Sequence, residues 1–156
     1  MKNTLILLIT LIMIGCSRPA AYSFFIAIDD GGWENSEHAI FSVDTLPQVG
    51  TYACTLLLRT MKATPYPYKN FYAEIKFTQN DSVVIATDTI QINLSNDQNS
   101  ENAAGISMHT HCLKLRNISY APSQNHQITV RHLMQQSPLP GIIAVGIELT
   151  PTSNEN

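Results

Sequence analysis

Two histidines and a cysteine lie close together in the segment "HTHC", residues 109–112. Side chains in a β-strand repeat every two residues, so His109 and His111 share one face and Cys112 points to the other. Two imidazoles on one face can bind Zn²⁺ when a third ligand comes from elsewhere in the chain. The alternative, and the commoner outcome for such a pair, is two half-exposed histidines on an edge strand. His109 and His111 are therefore weak candidates for a metal site, and we expect no cofactor.

Motifs of well-known enzyme classes do not occur in the sequence. It has no G-x-S-x-G, no H-E-x-x-H and no glycine-rich phosphate loop. The acidic pair Asp29-Asp30 precedes Gly31-Gly32, a composition that is typical of a turn. With 9 basic and 12 acidic side chains and no basic run, the chain does not fit a nucleic-acid-binding protein. We predict that the protein is not an enzyme.

Aromatic side chains offer a second kind of chemistry. Trp33 follows a double glycine. The proline-rich segment "ATPYPYKNFY" contains Tyr66, Tyr68 and Tyr72. Exposed aromatic rings can stack on sugar rings or anchor a protein interface. The alternative is that Trp33 and Tyr68 close the ends of the hydrophobic core. Both alternatives stay open at this point, with these four aromatic residues as candidates for partner binding.

Two cysteines downstream of the N-terminal region, Cys54 and Cys112, have two alternative states. In an oxidising compartment they can form a disulfide. That bond would close a loop of about 59 residues and contribute roughly 4 kcal/mol by restricting the unfolded chain. In the other state they are two separate thiols. The sequence does not favour one state over the other.

The N-terminus has the features of a bacterial lipoprotein signal. Lys2 precedes an apolar run of 10 residues, Leu5–Ile14, which is too short to span a bilayer as a resident helix. Gly15-Cys16 follows and resembles a lipobox, in which the cysteine thiol is diacylated and the chain is cut before it. Met13 stands where leucine is usual. We therefore predict a signal peptide over residues 1–15, lipidation at Cys16 and a lipidated tether over residues 16–21.

The residues after Cys16 bear on the location of the mature protein. No aspartate follows Cys16 directly, which by analogy with Gram-negative sorting favours the outer membrane. No acidic run follows either, so the signal that directs some lipoproteins to the cell surface is missing. We expect a lipid-anchored protein that faces the periplasm.

The rest of the chain shows the period-two alternation of β-strands and no sustained helical period. We predict an all-β fold, an antiparallel β-sandwich of about eight or nine strands over residues 22–150, with a jelly roll as one form of it. A polar loop is expected over Asn96–Ala104 and a disordered tail over residues 151–156. The predicted strands are Tyr22–Ile28, His38–Val43, Thr51–Arg59, Phe71–Thr78, Ser82–Thr87, Asp88–Leu94 (separate from the preceding one or forming one bent strand with it), Ile106–Tyr120 (one strand or two), Gln127–Met134 and Ile142–Thr150.

The last strand has an unusual entry, "SPLPGIIAVGIEL". Pro138 and Pro140 fix φ and lack a backbone donor, so they belong to a rigid connector before the strand. Gly146, inside the strand, indicates a bulge or a close approach of another group. Alternation places four apolar side chains on the core face: Ile143, Val145, Ile147 and Leu149.

Several of these segments occur in an order that resembles a known family. They are "GGW" at Gly31–Trp33, "LLLRT" around Arg59, "YPYKNFY" at Tyr66–Tyr72, "DT" at Asp88-Thr89 and "RHLMQQSPLPGIIAVGIEL" at Arg131–Leu149. Together they resemble the gliding-motility-associated lipoprotein family GldH of Bacteroidota. The resemblance runs from about Gly31 to Leu149. It fails at the family's G-x-W-x-G-x-G segment, where this chain has "NSENAAGISMHTHCLKL".

The resemblance implies an accessory component of the envelope machinery for gliding, a process linked to type IX secretion. It implies envelope proteins as partners, and neither enzymatic activity nor a cofactor. The alternative is a glycan-binding module that uses Trp33 and the tyrosines, and a weaker one is a metal enzyme built on the histidine pair. In the same phylum, Asp-(Ser/Thr)-apolar triplets of envelope proteins are O-glycosylated, which makes Ser82 and Thr89 candidates, with Thr45 a third.

Overall fold

The computed structural model describes residues 19–80, 82–94, 100–101 and 108–152, and this part of the chain contains strands but no helix. The predicted signal peptide and Cys16 lie outside the described residues. No described helix is long and apolar enough to cross a membrane. The nine strands are β1 (Tyr22–Ala27), β2 (Ala39–Val43), β3 (Gly50–Met61), β4 (Asn70–Gln79), β5 (Val83–Asn93), β6 (Ser100–Glu101), β7 (Met108–Tyr120), β8 (His126–His132) and β9 (Ile142–Pro151).

The strands form two antiparallel sheets that pack face to face. One has the order β1-β9-β3-β7-β6 and the other β2-β8-β4-β5. The pairing is nested, because β4 pairs with β5, β3 with β7, β2 with β8 and β1 with β9. A long hairpin rolled over two sheets gives this order, which is that of a jelly roll if the two-residue β6 is set aside. The prediction of an all-β antiparallel sandwich is confirmed.

Alternation predicted the buried face of β4 correctly up to Phe77, beyond which its pairing with β5 is interrupted. In β4, Phe71, Ala73, Ile75 and Phe77 are all at most 3% exposed, while Tyr72 faces outward. The two segments predicted between residues 82 and 94 form the single strand β5, and residues 106–120 contribute one strand, β7. Most of the predicted loop at residues 96–104 lies outside the described residues.

The C-terminal boundary differs slightly from the expectation. Pro151, predicted to begin the tail, is the last residue of β9. The amide of Thr152 donates a hydrogen bond of 2.9 Å to the carbonyl of Thr51, and its hydroxyl donates a second bond of 2.8 Å to the same oxygen. Pro151 and Thr152 thus extend the pairing of β9 with β3. Residues 153–156 lie outside the described part of the chain.

The predicted core face of the last strand is wrong at one residue, Ile143. Arg59 pairs with Ala144, but the next residue of β3, Thr60, pairs with Ile142, so a β-bulge leaves Ile143 without a partner in β3. The bulge turns Ile142 into the core, where it is 2% exposed, and leaves Ile143 half-buried. Beyond the bulge the alternation resumes as predicted, with fully buried side chains at Val145, Ile147 and Leu149.

Gly146 allows a close approach on the outer face of the sheet. Phe25 of β1 pairs with it, and a Cβ added at Gly146 would lie 2.7 Å from the Phe25 ring. The Arg59 guanidinium sits over the same ring, 3.6 Å from its centroid, in a cation–π contact. Of the two roles expected for Gly146, a bulge or a close approach, the structure shows the close approach, made by the Phe25 ring.

The connections fall into two groups because neighbouring strands are antiparallel. One end of the sandwich, here called the motif end, carries the β1–β2, β3–β4 and β8–β9 connections, residues 28–38, 62–69 and 133–141. The other, here called the terminal end, carries residues 44–49, 80–82 and 121–125. Tyr22, where β1 begins, pairs with Leu149 and therefore lies at the terminal end.

The bulge can be tested by two neighbouring substitutions. Ile142→Ala removes a core side chain and should lower the free energy of unfolding by about 2–5 kcal/mol. Ile143→Ala removes a half-buried side chain of the same size and should cost clearly less. Urea unfolding midpoints with unchanged slope measure both. A larger loss for Ile143→Ala than for Ile142→Ala would contradict the register described.

Candidate functional site

Trp33 links two connections at the motif end. It forms an isolated antiparallel bridge with Leu139, in which each backbone amide donates to the other residue's carbonyl, at 3.0 and 2.8 Å. Gly32, directly before it, has φ of +96°, and a Cβ there would lie 2.9 Å from the Leu139 carbonyl oxygen. A side chain at Gly32 would therefore be strained by its φ and would also clash with Leu139. Gly32, the second glycine before the tryptophan, thus permits the bridge.

Exposed polar groups reinforce the same junction. The Ser137 hydroxyl donates a hydrogen bond of 2.6 Å to the Glu34 carboxylate and accepts one of 2.9 Å from the Asn35 amide. The Ser137–Pro138 peptide bond is cis. The connector before β9 is thereby held against the β1–β2 connection on both sides of Leu139.

The Trp33 indole fills the end of the core. It is 1% exposed, stacks on Phe71 at 6.1 Å between centroids and meets the edge of His132 at 5.2 Å. Its ring nitrogen donates a hydrogen bond of 3.0 Å to the Glu37 carbonyl. This corrects the expectation that Trp33 presents a binding surface, because a buried ring has no face for a ligand. Of the two alternatives, Trp33 closes the core.

His132 is buried beneath Trp33 as a neutral ring. One ring nitrogen, Nε2, lies 3.1 Å from the Trp33 carbonyl, and the other, Nδ1, accepts a bond of 3.3 Å from the Met134 amide. Nε2 must therefore carry the proton and donate it. Burial, the largest influence, lowers the pKa of His132, while hydrogen bonds to Trp33 and Glu34 act in the opposite direction. His132 supports the tryptophan and has no accessible atom for chemistry.

The tyrosine-bearing β3–β4 connection packs against the entry to β9. Gly141 has φ of +84°, and a Cβ there would lie 2.5 Å from the Tyr66 Cα, so only glycine fits. The Tyr66 hydroxyl donates a hydrogen bond of 3.0 Å to the Asn70 carbonyl, and burial raises the pKa of Tyr66. Its ring meets the edge of Phe71 at 6.4 Å. Tyr66 is therefore a half-buried support.

Tyr68 is exposed but fixed in place. It is 39% exposed, its hydroxyl donates to the side-chain oxygen of Gln136, and its ring meets Tyr66 edge to face at 5.6 Å. A ring held at both ends loses little conformational entropy when it binds a partner. Tyr72, the third tyrosine of the group, lies on the outer face of β4 opposite Gln91 and does not line the same cleft.

The tyrosine connection and the histidine pair, which are far apart in sequence, border one cleft. Its volume is about 370 Å³, in the range of small-ligand sites. Several of its walls could not be predicted from local sequence patterns, because the pairing of β3 with β7 brings them together. The cleft is lined by Thr60, Met61, Lys62, Pro65, Tyr66, Tyr68, Leu94, His109 and His111.

The histidine rings lie side by side, with centroids 6.3 Å apart, as expected for one face of a strand. His111 is 5% exposed, and its Nε2 lies 3.2 Å from the Thr60 hydroxyl. Cys112 pairs with Leu57 on the opposite face. Among the described residues, no group of three or more His, Cys, Asp or Glu side chains is placed to hold a metal ion. The pair therefore serves as a wall of the cleft.

Cys54 and Cys112 are not joined in the structure. Cys54 faces the core between Tyr52 and Leu56, whereas Cys112 lies on the outer face of the neighbouring strand. Burial raises the pKa of the Cys54 thiol to about 12, which makes it a poor nucleophile. The hydroxyls of Ser82 and Thr89 belong to exposed residues, and their glycosylation stays a prediction.

Comparison with known proteins gives one match. The model of a family described as GldH lipoprotein matches residues 20–149, which is most of the chain. No curated protein matches. Three of the segments on which the resemblance rests pack together at the motif end, around Trp33, Leu139 and Gly141. They are "GGW", "YPYKNFY" and "SPLPG".

The packing at Gly141 can be tested with a matched glycine. Gly141→Ala should destabilise the protein by more than about 1 kcal/mol, because the positive φ is strained for alanine and the methyl group meets the Tyr66 backbone. Gly31→Ala is the control, since a Cβ there has no atom within 4 Å. Equal unfolding midpoints for the two variants in urea would contradict the described contact.

Proposed function

Because the chain belongs to the GldH lipoprotein family, we propose that it is an accessory component of the envelope machinery for gliding and acts by binding envelope proteins. The family is a gliding-motility-associated lipoprotein family and not a known enzyme family. The link to type IX secretion is part of the proposal. So is the absence of catalysis, which agrees with the lack of catalytic motifs in the sequence.

In this proposal Cys16 carries the lipid. Its thiol is diacylated, the chain is then cut just before Cys16, which removes residues 1–15, and the acyl chains hold the protein in the outer membrane, on the periplasmic side. Each acyl CH₂ that enters the bilayer contributes about 0.8 kcal/mol, so two or more chains anchor the protein stably. The apolar run before Cys16 and the glycine at position 15 support this assignment.

The proposed partner surface is the motif end. The observation that carries it is the exposed, doubly fixed ring of Tyr68 beside the cleft. Tyrosine is enriched among the residues that dominate binding energy at interfaces, and a preorganised ring pays a small entropic cost on binding. Lys62 and His109 supply polar groups at the same cleft, as a partner's hydrogen-bonding groups require.

A glycan-binding role is the second candidate, and the cleft itself favours it. A volume of about 370 Å³ with two tyrosines in its walls suits a short saccharide. Trp33 is buried, so Tyr66 and Tyr68 would carry the stacking. Retention on immobilised polysaccharide that is lost with Tyr68→Ala, together with an absence of protein adducts in cells, would favour this candidate over the first.

Site-specific photocrosslinking in cells tests the partner surface. A photoreactive phenylalanine at position 68 should give covalent adducts with envelope proteins, because that side chain borders the cleft. The same residue at position 72 is the control, since Tyr72 is 38% exposed, nearly as much as Tyr68, but faces another side. Adducts identified by mass spectrometry from position 72 but not from position 68 would contradict the assignment of the motif end.

A further inference from the structure

Large apolar side chains are exposed at the terminal end of the sandwich. Val49, at the end of the β2–β3 connection, is 67% exposed. Three consecutive residues at the start of β5 follow the β4–β5 turn and are also exposed: Val83 at 56%, Val84 at 54% and Ile85 at 51%. Exposed apolar residues that are scattered singly are ordinary, but a consecutive run needs a physical reason.

The run lies at the start of an edge strand, ahead of that strand's first charged residue, Asp88. β5 is the last strand of its sheet, and edge strands normally carry charges that prevent association with other chains. Between residues 82 and 87 the sequence "SVVIAT" has no charge. β5 is bulged at the same place, because Phe77 pairs with Ala86 and Thr78 with Val84, which leaves Ile85 without a partner in β4. These apolar side chains therefore have no cover from the described part of the chain.

The point of membrane attachment lies at the same end. β1 begins at Tyr22, which pairs with Leu149 at the terminal end. Cys16 is six residues earlier in the sequence. An extended chain spans at most about 3.3–3.6 Å per residue, so the tether reaches roughly 20 Å. Strand β9 has 10 residues, and at about 3.3 Å per residue the motif end lies roughly 30 Å farther away.

We propose that the terminal end of the sandwich rests on the bilayer, with Val49, Val83 and Val84 inserted among the lipid headgroups. This inference rests on the proposed lipid anchor at Cys16. It adds a second membrane contact and a fixed orientation, in which the motif end points away from the bilayer toward its partners.

The distribution of the apolar residues favours a lipid surface over a second copy of the chain. A strand that a second copy added to the edge of β5 would cover Val83, Val84 and Ile85. It would not explain the exposure of Val49, which belongs to a connection between the two sheets. A flat bilayer meets the tips of several connections at once. The connections at this end, residues 44–49, 80–82 and 121–125, contain no Lys or Arg. They do contain Asp44 and Asp81, so the expected contact with a zwitterionic bilayer is made by the apolar side chains and does not depend on salt.

Fluorescence in vesicles tests the orientation. Full-length protein, lipidated at Cys16 and carrying Cys112→Ser, is labelled with an environment-sensitive fluorophore at Val84→Cys or, as the control, at Ile40→Cys. Ile40 is 49% exposed and lies near the motif end. Both proteins are placed in phosphatidylethanolamine vesicles with and without nitroxide-labelled lipids. We expect a blue shift and lipid-dependent quenching at position 84, unchanged in high salt, and neither effect at position 40.

Three results would overturn the inference. Equal, weak quenching at both positions in protein that still floats with the vesicles would mean that the anchor holds but the terminal end does not touch lipid. A blue shift at position 84 that rises with protein density and shows no quenching by lipid would mean association between copies. Protein that no longer floats would mean that the anchor itself is absent, and the proposed location would fail together with the inference.

Discussion

The backbone bridge between Trp33 and Leu139, with the indole buried behind it, holds the motif end together. The bridge joins the β1–β2 and β8–β9 connections, and the indole contacts Phe71 at the start of β4 and His132 at the end of β8. Two connections and the ends of two strands thus meet at one buried ring. An aromatic side chain of this size contributes more apolar burial than any other single residue could at that place. Without it the end of the core would be open and the tyrosine connection would lose its support.

Local alternation predicted the strands and most of their buried faces, because a strand that buries one face has apolar residues at every second position. Phe71 and Ile75 are clear examples. The bulge that buries Ile142 in place of Ile143 depends on the register with β3, which lies more than 80 residues earlier, and no local pattern reveals it. Local patterns do not predict the cleft that Tyr68 and His109 share. It results from the pairing of β3 with β7, whereas the sequence presented the two as separate candidate sites.

The family segments acquire a structural meaning from this arrangement. The glycines at positions 32 and 141 permit close backbone contacts, and the contact at Gly141 positions the connection that carries Tyr68. The residues that close the core at the motif end therefore also position the exposed ring of Tyr68. The same contacts stabilise the fold and hold the proposed interaction surface in place. If the lipid is attached at Cys16 as proposed, the proposed interaction surface is held away from the bilayer, where a partner in the periplasm would reach it.

Amide hydrogen exchange of the native protein tests the account's central claim most directly. The amides of Trp33 and Leu139 lie in connections between strands, where exchange is normally fast, but each donates to the other's carbonyl. The account predicts that these two amides exchange as slowly as those in the centres of β3 and β9 and become exposed only with the core. Fast exchange of both, at the rate of an exposed connection, would contradict the claim that this bridge locks the motif end.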